Sequence, residues 1–190
     1  MTSNDEEFTA ASQILRCPKS EDTGQHQGQL CLGAIGRNKV ALLKSSPAAI
    51  GVSGGIDALF AETIQKLQPK AIVGLGVCSG TKKEVQSKGD VLVSSQVNFY
   101  NPDDSTNPLG PTFDCNLGLA QLFNCGKLGW CGPCPAVLVP KVHVGQVVTG
   151  SPAVDNTTHM DEMRNLYPDA IGVDIQDGGM LYMIASLLFC

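Results

Sequence analysis

The residues best suited to chemistry lie in the stretch Lys70–Ser95, KAIVGLGVCSGTKKEVQSKGDVLVSS. Glycines crowd at Gly74, Gly76 and Gly80, with a thiol at Cys78 and a hydroxyl at Ser79. Glycine permits positive φ and lets another group approach the bare backbone. Backbone N–H groups in such a loop can hold an anion, and the loop beyond a strand is where α/β proteins bind ligands. The competing reading is a set of turn glycines present for packing. A second cluster is Trp130-Cys131-Gly132-Pro133-Cys134. Two cysteines at this spacing do redox chemistry when the first sits at a helix N-terminus, which stabilises its thiolate. Here Pro135, the strand-like Ala136–Val139 and Pro140 follow in place of a helix. Cys115 and Cys125 lie near enough in sequence to suggest zinc. One CxxC lacks the second knuckle of a zinc site, however. A tight turn with free thiols is the plainer reading, and no metal is expected. His143 falls in an alternating strand, His159 at a helix start and His26 in a polar lead-in, and each is read as structural.

Composition narrows the partners. The chain has 190 residues, 43% of them apolar, so it can bury a real core, while 21 glycines and 11 prolines imply many turns. Its formal charge of −5 offers no clustered basic footprint for nucleic acid. No stretch reaches the roughly 18–20 apolar residues of a membrane helix. The start, MTSNDEEFTAA, is acidic and unlike a secretory signal. Eight cysteines in that setting point to reduced thiols and a cytoplasmic protein.

The elements that must position these residues follow from periodicity. Residues 1–29 are expected as a flexible polar lead-in with at most a turn of helix, and 30–190 as the folded domain. Leu30-Cys31-Leu32 and Val40-Ala41-Leu42-Leu43 flank the turn Gly36-Arg37-Asn38, a hairpin by composition. Ile56, Leu59, Phe60, Ile64 and Leu67 share one helical face, and Pro69 stops that helix. Ala71 to Leu75, apolar at nearly every position, is expected as a strand buried on both faces. With the strand and helix before it, that completes a βαβ unit. Gly89-Asp90 opens another strand, Val91 to Val97. Asn101 to Pro135 is the least regular part, with a brief helix over Leu117 to Phe123. Ala136–Val139 and Val142–Val148 read as strands. Thr158 is placed to cap a helix carrying Met160, Met163 and Tyr167. Ala170–Ile175 reads as a short strand, and Gly178 to Cys190 as a buried helix.

Three blocks together resemble the nucleoside phosphorylase family, including the nucleosidases that cleave methylthioadenosine and adenosylhomocysteine. Val40-Ala41-Leu42-Leu43-Lys44-Ser45 is similar to the strand before that family's first long helix. Ile72 to Val93, with Gly76, Gly80 and Gly89-Asp90, is similar to its glycine loop and "GD" strand. Val147-Val148-Thr149-Gly150-Ser151, followed by Ile171-Gly172-Val173-Asp174-Ile175-Gln176, is similar to its "SGD" and "E-M-E" strands. The resemblance spans about residues 30–190. It implies an α/β fold, a three-layer sandwich around a mixed, partly closed central sheet, in a homo-oligomer. It also implies cleavage of the N-glycosidic bond of purine nucleosides. The partner is then a purine nucleoside or related small molecule, with no cofactor and with inorganic phosphate as the one co-substrate in question.

Carried over by position, the resemblance puts a phosphate or water site at Gly76, Val77, Cys78, Ser79 and Gly80, and nucleoside contacts at Ser151, Val154, Asp174, Ile175 and Gln176. It also marks departures. Val77 stands at the place of a serine near the nucleophile, with Ser79 close by, and Gly74 stands where phosphorylases with a loop arginine keep that ligand. Ile175 replaces a methionine under the ribose, and Gln176 replaces the carboxylate that takes the ribose hydroxyls. Losing that charge-assisted contact costs about 1.5–3 kcal/mol. The family's catalytic aspartate follows the last helix read here, so the catalytic acid is unassigned. The expectation is therefore an enzyme of truncated form or a non-catalytic nucleoside-binding or interaction module. The third alternative is a redox or metal role for the segment Trp130–Cys134, whose WCGPC resembles that of thioredoxins.

Overall fold

The computed structural model describes residues 2, 4–21, 28–45, 56–101, 108–125, 140–150 and 157–174. They fall in two compact units, divided between Val77 and Cys78.

The first unit begins with helix α1 (Asp5–Ser12). The Asn4 side chain accepts a hydrogen bond from the Glu7 N–H at 2.8 Å and caps it. Asp5, Glu6 and Glu7 fill its first turn, where carboxylates meet the positive end of the helix dipole. Strands β1 (Arg16–Glu21), β2 (Gly28–Ile35) and β3 (Asn38–Ser45) form an antiparallel sheet in that order. The expected hairpin is present, with Ile35 opposite Asn38. Its two-residue loop puts positive φ on Gly36, as a type II′ turn requires of its first residue. Leu15, Cys31 and Leu42 form a small core, with Phe8, Ala11 and Val40 against it. Helix α2 (Ile56–Leu67) also stands where its periodicity put it, with Phe60 buried.

Two expectations for this part are corrected. The polar stretch read as a lead-in contributes α1 and β1. Arg16–Glu21 carries no alternating apolar signal, and it is a strand because its backbone pairs with β2 across a bulge. The apolar run Ala71 to Leu75 is not a strand, and Val73 and Leu75 are exposed. Gly74 and Gly76 bring no side chain to pack on a sheet, which weakens strand formation. The βαβ unit expected from it does not form.

The second unit is built on a mixed sheet of β4 (Ser79–Gly80), β5 (Val91–Tyr100), β6 (Leu109–Asp114), β7 (Val142–Gly150) and β8 (Gly172–Asp174). Their order is β4-β8-β7-β5-β6. The centre, β8-β7-β5, is parallel, and both outer strands run antiparallel to it. The α/β class and the mixed sheet stand as expected, but the sheet is open rather than partly closed, since β4 and β6 pair on one side only among the described residues. Strand β6 lies inside the stretch expected to be least regular. Gly110 and Pro111 mask its pattern, and they fall at a register shift opposite Phe99. A second shift, between Ser94 and Gln96, leaves Ser95 as an extra residue in β5. The Ser95 carbonyl accepts from the Cys115 N–H at 2.9 Å.

Helix α3 (Leu117–Cys125) packs against β5 and β7. Helix α4 (Thr157–Leu166) begins one residue before Thr158, so Thr158 is helical rather than the cap. It carries the fully buried Met163 onto Tyr100, Val148, Ala170 and Val173, and Tyr167 packs at the edge. Burying each large side chain of such a cluster contributes about 1.5–3 kcal/mol. The βαβ unit that does form is β7-α4-β8. The expected strand Ala136–Val139 and the helix Gly178 to Cys190 lie outside the described residues.

Candidate functional site

Parallel strands β7 and β8 end side by side, with Thr149 opposite Asp174. The carboxyl ends of parallel strands are where open α/β sheets bind ligands. Alternation along β7 puts Thr149 on the face shared by Val147, and the register puts Asp174 on that face with Gly172. Asp174 is buried, at 5% exposure, and Thr149 is fully buried. Strand β4 then brings in the glycine loop. Its antiparallel pairing sets Ser79 opposite Val173 and carries Cys78 to the level of Asp174. A Cβ on Gly172 would stand 3.6 Å from Cys78 Sγ and 2.7 Å from a methyl carbon of Leu92. Only a bare backbone at 172 leaves room for both. Three groups of different chemistry thus converge here, namely a carboxylate, a hydroxyl and a thiol.

The electrostatics of this corner favour a neutral thiol. Burial pushes the Cys78 pKa up, and the Asp174 charge pushes it further. Such a thiol is a poor nucleophile, so Cys78 serves as a small apolar contact and weak donor. The turn beyond the loop is strapped to the start of β8. Gln86 Nε2 donates to the Ile171 carbonyl at 2.8 Å, and Gln86 Oε1 accepts from the Lys82 N–H at 2.7 Å. Thr81 Oγ1 donates to the Ala170 carbonyl, and Lys82 Nζ to that of Pro168. No sequence periodicity points to Gln86. It acts by reaching across 85 positions of chain.

At the opposite, amino ends of β5 and β7, the Asp90 carboxylate accepts from the backbone N–H groups of Ser87 and Lys141, each at 2.9 Å. It also lies 2.9 Å from His143 Nε2. These bonds, that to His143 foremost, lower its pKa to about 2. Asp90 and His143 thus fasten two strands together, far along the sheet from Thr149.

Of the residues singled out by sequence, Cys78, Ser79, Gly80 and Asp174 are brought together in the second unit. Ser79 and Gly80 are exposed, and Cys78 is half-buried. Gly76 and Val77 belong to the first unit, and Val77 is largely exposed. Ser151, Val154, Ile175 and Gln176 lie outside the described residues, as does the segment Trp130–Cys134. Thr149 was missed as a site residue. The sequence signal for it is the alternation of β7 counted from the apolar Val147. Among the described residues, no three His, Cys, Asp or Glu side chains are placed to hold a metal. No helix among them is long and apolar enough to cross a membrane.

No family model matches the sequence, and no curated protein matches it. Solved structures do resemble it in fold. An adenine-bound protein from Borrelia burgdorferi is 19% identical, with a TM-score of 0.73 over 99% of this chain and 79% of that one. The 5′-methylthioadenosine/S-adenosylhomocysteine nucleosidase of Neisseria meningitidis, in complex with methylthio-immucillin-A, is 15% identical. Its TM-score is 0.69, over 96% of this chain and 78% of that one. The enzyme of the same name from Streptococcus pneumoniae, with a transition-state inhibitor, is 16% identical at a TM-score of 0.69, over 99% and 78%. With its mixed sheet and its loop-to-strand pairing at β4 and β8, the chain has the nucleoside phosphorylase and nucleosidase fold of these proteins.

Proposed function

We propose that the chain binds a purine nucleoside at the carboxyl ends of β7 and β8 and cleaves its N-glycosidic bond by hydrolysis. The observation that carries this reading is the buried Asp174 carboxylate beside Thr149 and Cys78, in a fold whose solved examples hold adenine and methylthio-immucillin-A. Cleavage develops positive charge on the sugar, and a carboxylate fixed in a poorly solvated corner stabilises that charge more than it would in water. Water rather than phosphate is the attacking group in this proposal, because Gly74 stands where loop-arginine phosphorylases keep a charge partner for the anion. Cys78 to Gly80 would line the water's side of the ligand. Ser151, Val154, Ile175 and Gln176 complete the proposed set of nucleoside contacts.

The test is release of free base from a panel of purine and pyrimidine nucleosides, with and without phosphate. Release from purine nucleosides that is indifferent to phosphate is expected, and Asp174→Asn should slow it by roughly ten- to a hundredfold. Phosphate-dependent release would replace hydrolysis with phosphorolysis.

A second reading is favoured by Gln176, which offers hydrogen bonds without charge where the family's carboxylate stands. The same site then binds a nucleoside without turning it over. In that case folded protein releases no base, yet adenosine raises its melting temperature.

A further inference from the structure

Strand β4 is held to its sheet by little of its own. Its ladder with β8 is two residues long, Ser79 opposite Val173 and Gly80 opposite Gly172. Both Ser79 and Gly80 are exposed, so no buried apolar side chain of β4 fixes it in place. What fixes it lies just beyond, in the turn 81–86. The Thr81 N–H and Gln86 Nε2 both donate to the Ile171 carbonyl, at 3.2 and 2.8 Å. Gln86 also closes its own turn. Its N–H donates to the Lys82 carbonyl at 2.9 Å, and its Oε1 accepts from the Lys82 N–H at 2.7 Å. One end of the side-chain amide thus serves the turn and the other serves the start of β8. A Cβ on Gly80 would stand 2.7 Å from Gln86 Oε1, so the bare backbone at 80 is what lets the amide lie against β4. Lys82 Nζ also donates across this gap, to the Pro168 carbonyl. It does so on a long stem that gives up much side-chain freedom to hold the bond.

We propose that Gln86 is a positioning residue, which bolts β4 to the start of β8 and so holds Cys78 and Ser79 at the level of the Asp174 carboxylate. Its bond to Ile171 lies just before the ladder that sets Ser79 against Val173, next to Asp174. Without that bond, the two-residue ladder and the contacts of Thr81 and Lys82 carry the junction alone. The backbone that would line the water's side of the ligand then loses its fixed distance from the carboxylate. Attack on a bound sugar depends on that distance, because a small displacement of reacting groups costs rate more than it costs binding. The effect on turnover rests on the hydrolysis reading above, whereas the bolting of β4 stands on the hydrogen bonds alone.

The experiment reads the junction through the thiol beside it. Cys78 is half-buried, and a buried neutral thiol reacts slowly with iodoacetamide while β4 is docked. Wild type, Gln86→Ala, Gln86→Glu and Tyr100→Phe are labelled as folded full chain, and Cys78 and the exposed Cys17 are quantified peptide by peptide. Gln86→Ala should raise the Cys78 rate about tenfold and leave Cys17 at its wild-type rate. Gln86→Glu keeps an acceptor for the Lys82 N–H but sets a carboxylate against the Ile171 carbonyl, so it should label as fast as Gln86→Ala. It also carries the test if the alanine variant does not fold. Tyr100→Phe, which loses a bond beside the α4 cluster, should label Cys78 as wild type does. Base release from purine nucleosides by Gln86→Ala should fall at least about tenfold in kcat, with KM within about threefold of wild type. A wild-type Cys78 rate in Gln86→Ala would overturn the proposal. A wild-type rate in Gln86→Glu would also overturn it, by confining Gln86 to its own turn. Faster Cys78 labelling in Tyr100→Phe would do the same, by assigning the effect to general loosening. Faster labelling in Gln86→Ala with kcat unchanged would remove the positioning role. Should folded wild type release no base, the hydrolysis reading falls, and labelling alone decides whether Gln86 holds β4.

Discussion

Protonation of Asp90 is coupled to the fold. Its carboxylate gathers the Ser87 and Lys141 N–H groups and His143, and its pKa falls to about 2. The folded value lies below the usual carboxylate value of about 4. The stabilising contribution is therefore present above about pH 4 and is lost as pH falls through about 2. An Asp90→Asn variant should show a flatter acid limb in a plot of melting temperature against pH between 2 and 6. Tyr100 is the alkaline counterpart. Burial, then its hydrogen bond to Glu162 Oε2 at 2.7 Å, raises its pKa to about 12. Here the folded value lies above the unfolded one of about 10. Stability is complete below about pH 10 and declines as pH rises towards about 12. Tyr100→Phe should remove that decline, at a cost near neutral pH of about 1 kcal/mol for the lost bond, read from urea unfolding.

At the scale of elements, what the sequence made legible follows from how local each signal is. The hairpin β2–β3 rests on two apolar runs around Gly36, and α2 on a spacing of three and four; both signals lie within one element, and both elements form as expected. Strand β1 has no such signal, because Pro18 and the left-handed Cys17 break any pattern and only its pairing with β2 makes it a strand. Ala71 to Leu75 errs the other way, with apolar composition but no strand partner among the described residues. Helix α4 gives the sharpest test of packing. Met163 is fully buried among Tyr100, Val148, Ala170 and Val173. Met163→Ala should cost about 2–5 kcal/mol by denaturant titration, because a cavity remains where the side chain was. Leu166→Ala on the same helix starts from an exposed position and should cost far less.

For the whole molecule, the candidate site was legible in part. Asp174 and the glycine loop could be named from the order of three blocks, and the pairing of β4 with β8 does bring Cys78 beside Asp174. Thr149 could not be ranked as a site residue, because its importance depends on which strand lies beside β7, and β8 comes 22 residues after β7 in the chain. Gln86 was hidden for the same reason. A ligand at this site stabilises the folded chain by mass action. Adenosine at a hundred times its dissociation constant should add about 2.7 kcal/mol, seen as a higher melting temperature. Cytidine at the same concentration should leave it where it was, if the site takes purines.

Ser95, the extra residue in β5, has a consequence for how the chain tolerates changes in length. Leu92 and Ser94 share a face with Val97 and Phe99 only because Ser95 is skipped in the pairing with β7. A chain one residue shorter at Ser95 would keep every later side chain on its present face, forfeiting the bond from Cys115 to the Ser95 carbonyl. Strand β7 holds no such spare position near its end. Removing Val148 would swing Thr149 to the opposite face and take the hydroxyl away from Asp174. Two neighbouring strands thus differ in what they can lose: one has slack in its counting, and the other must be kept to the residue.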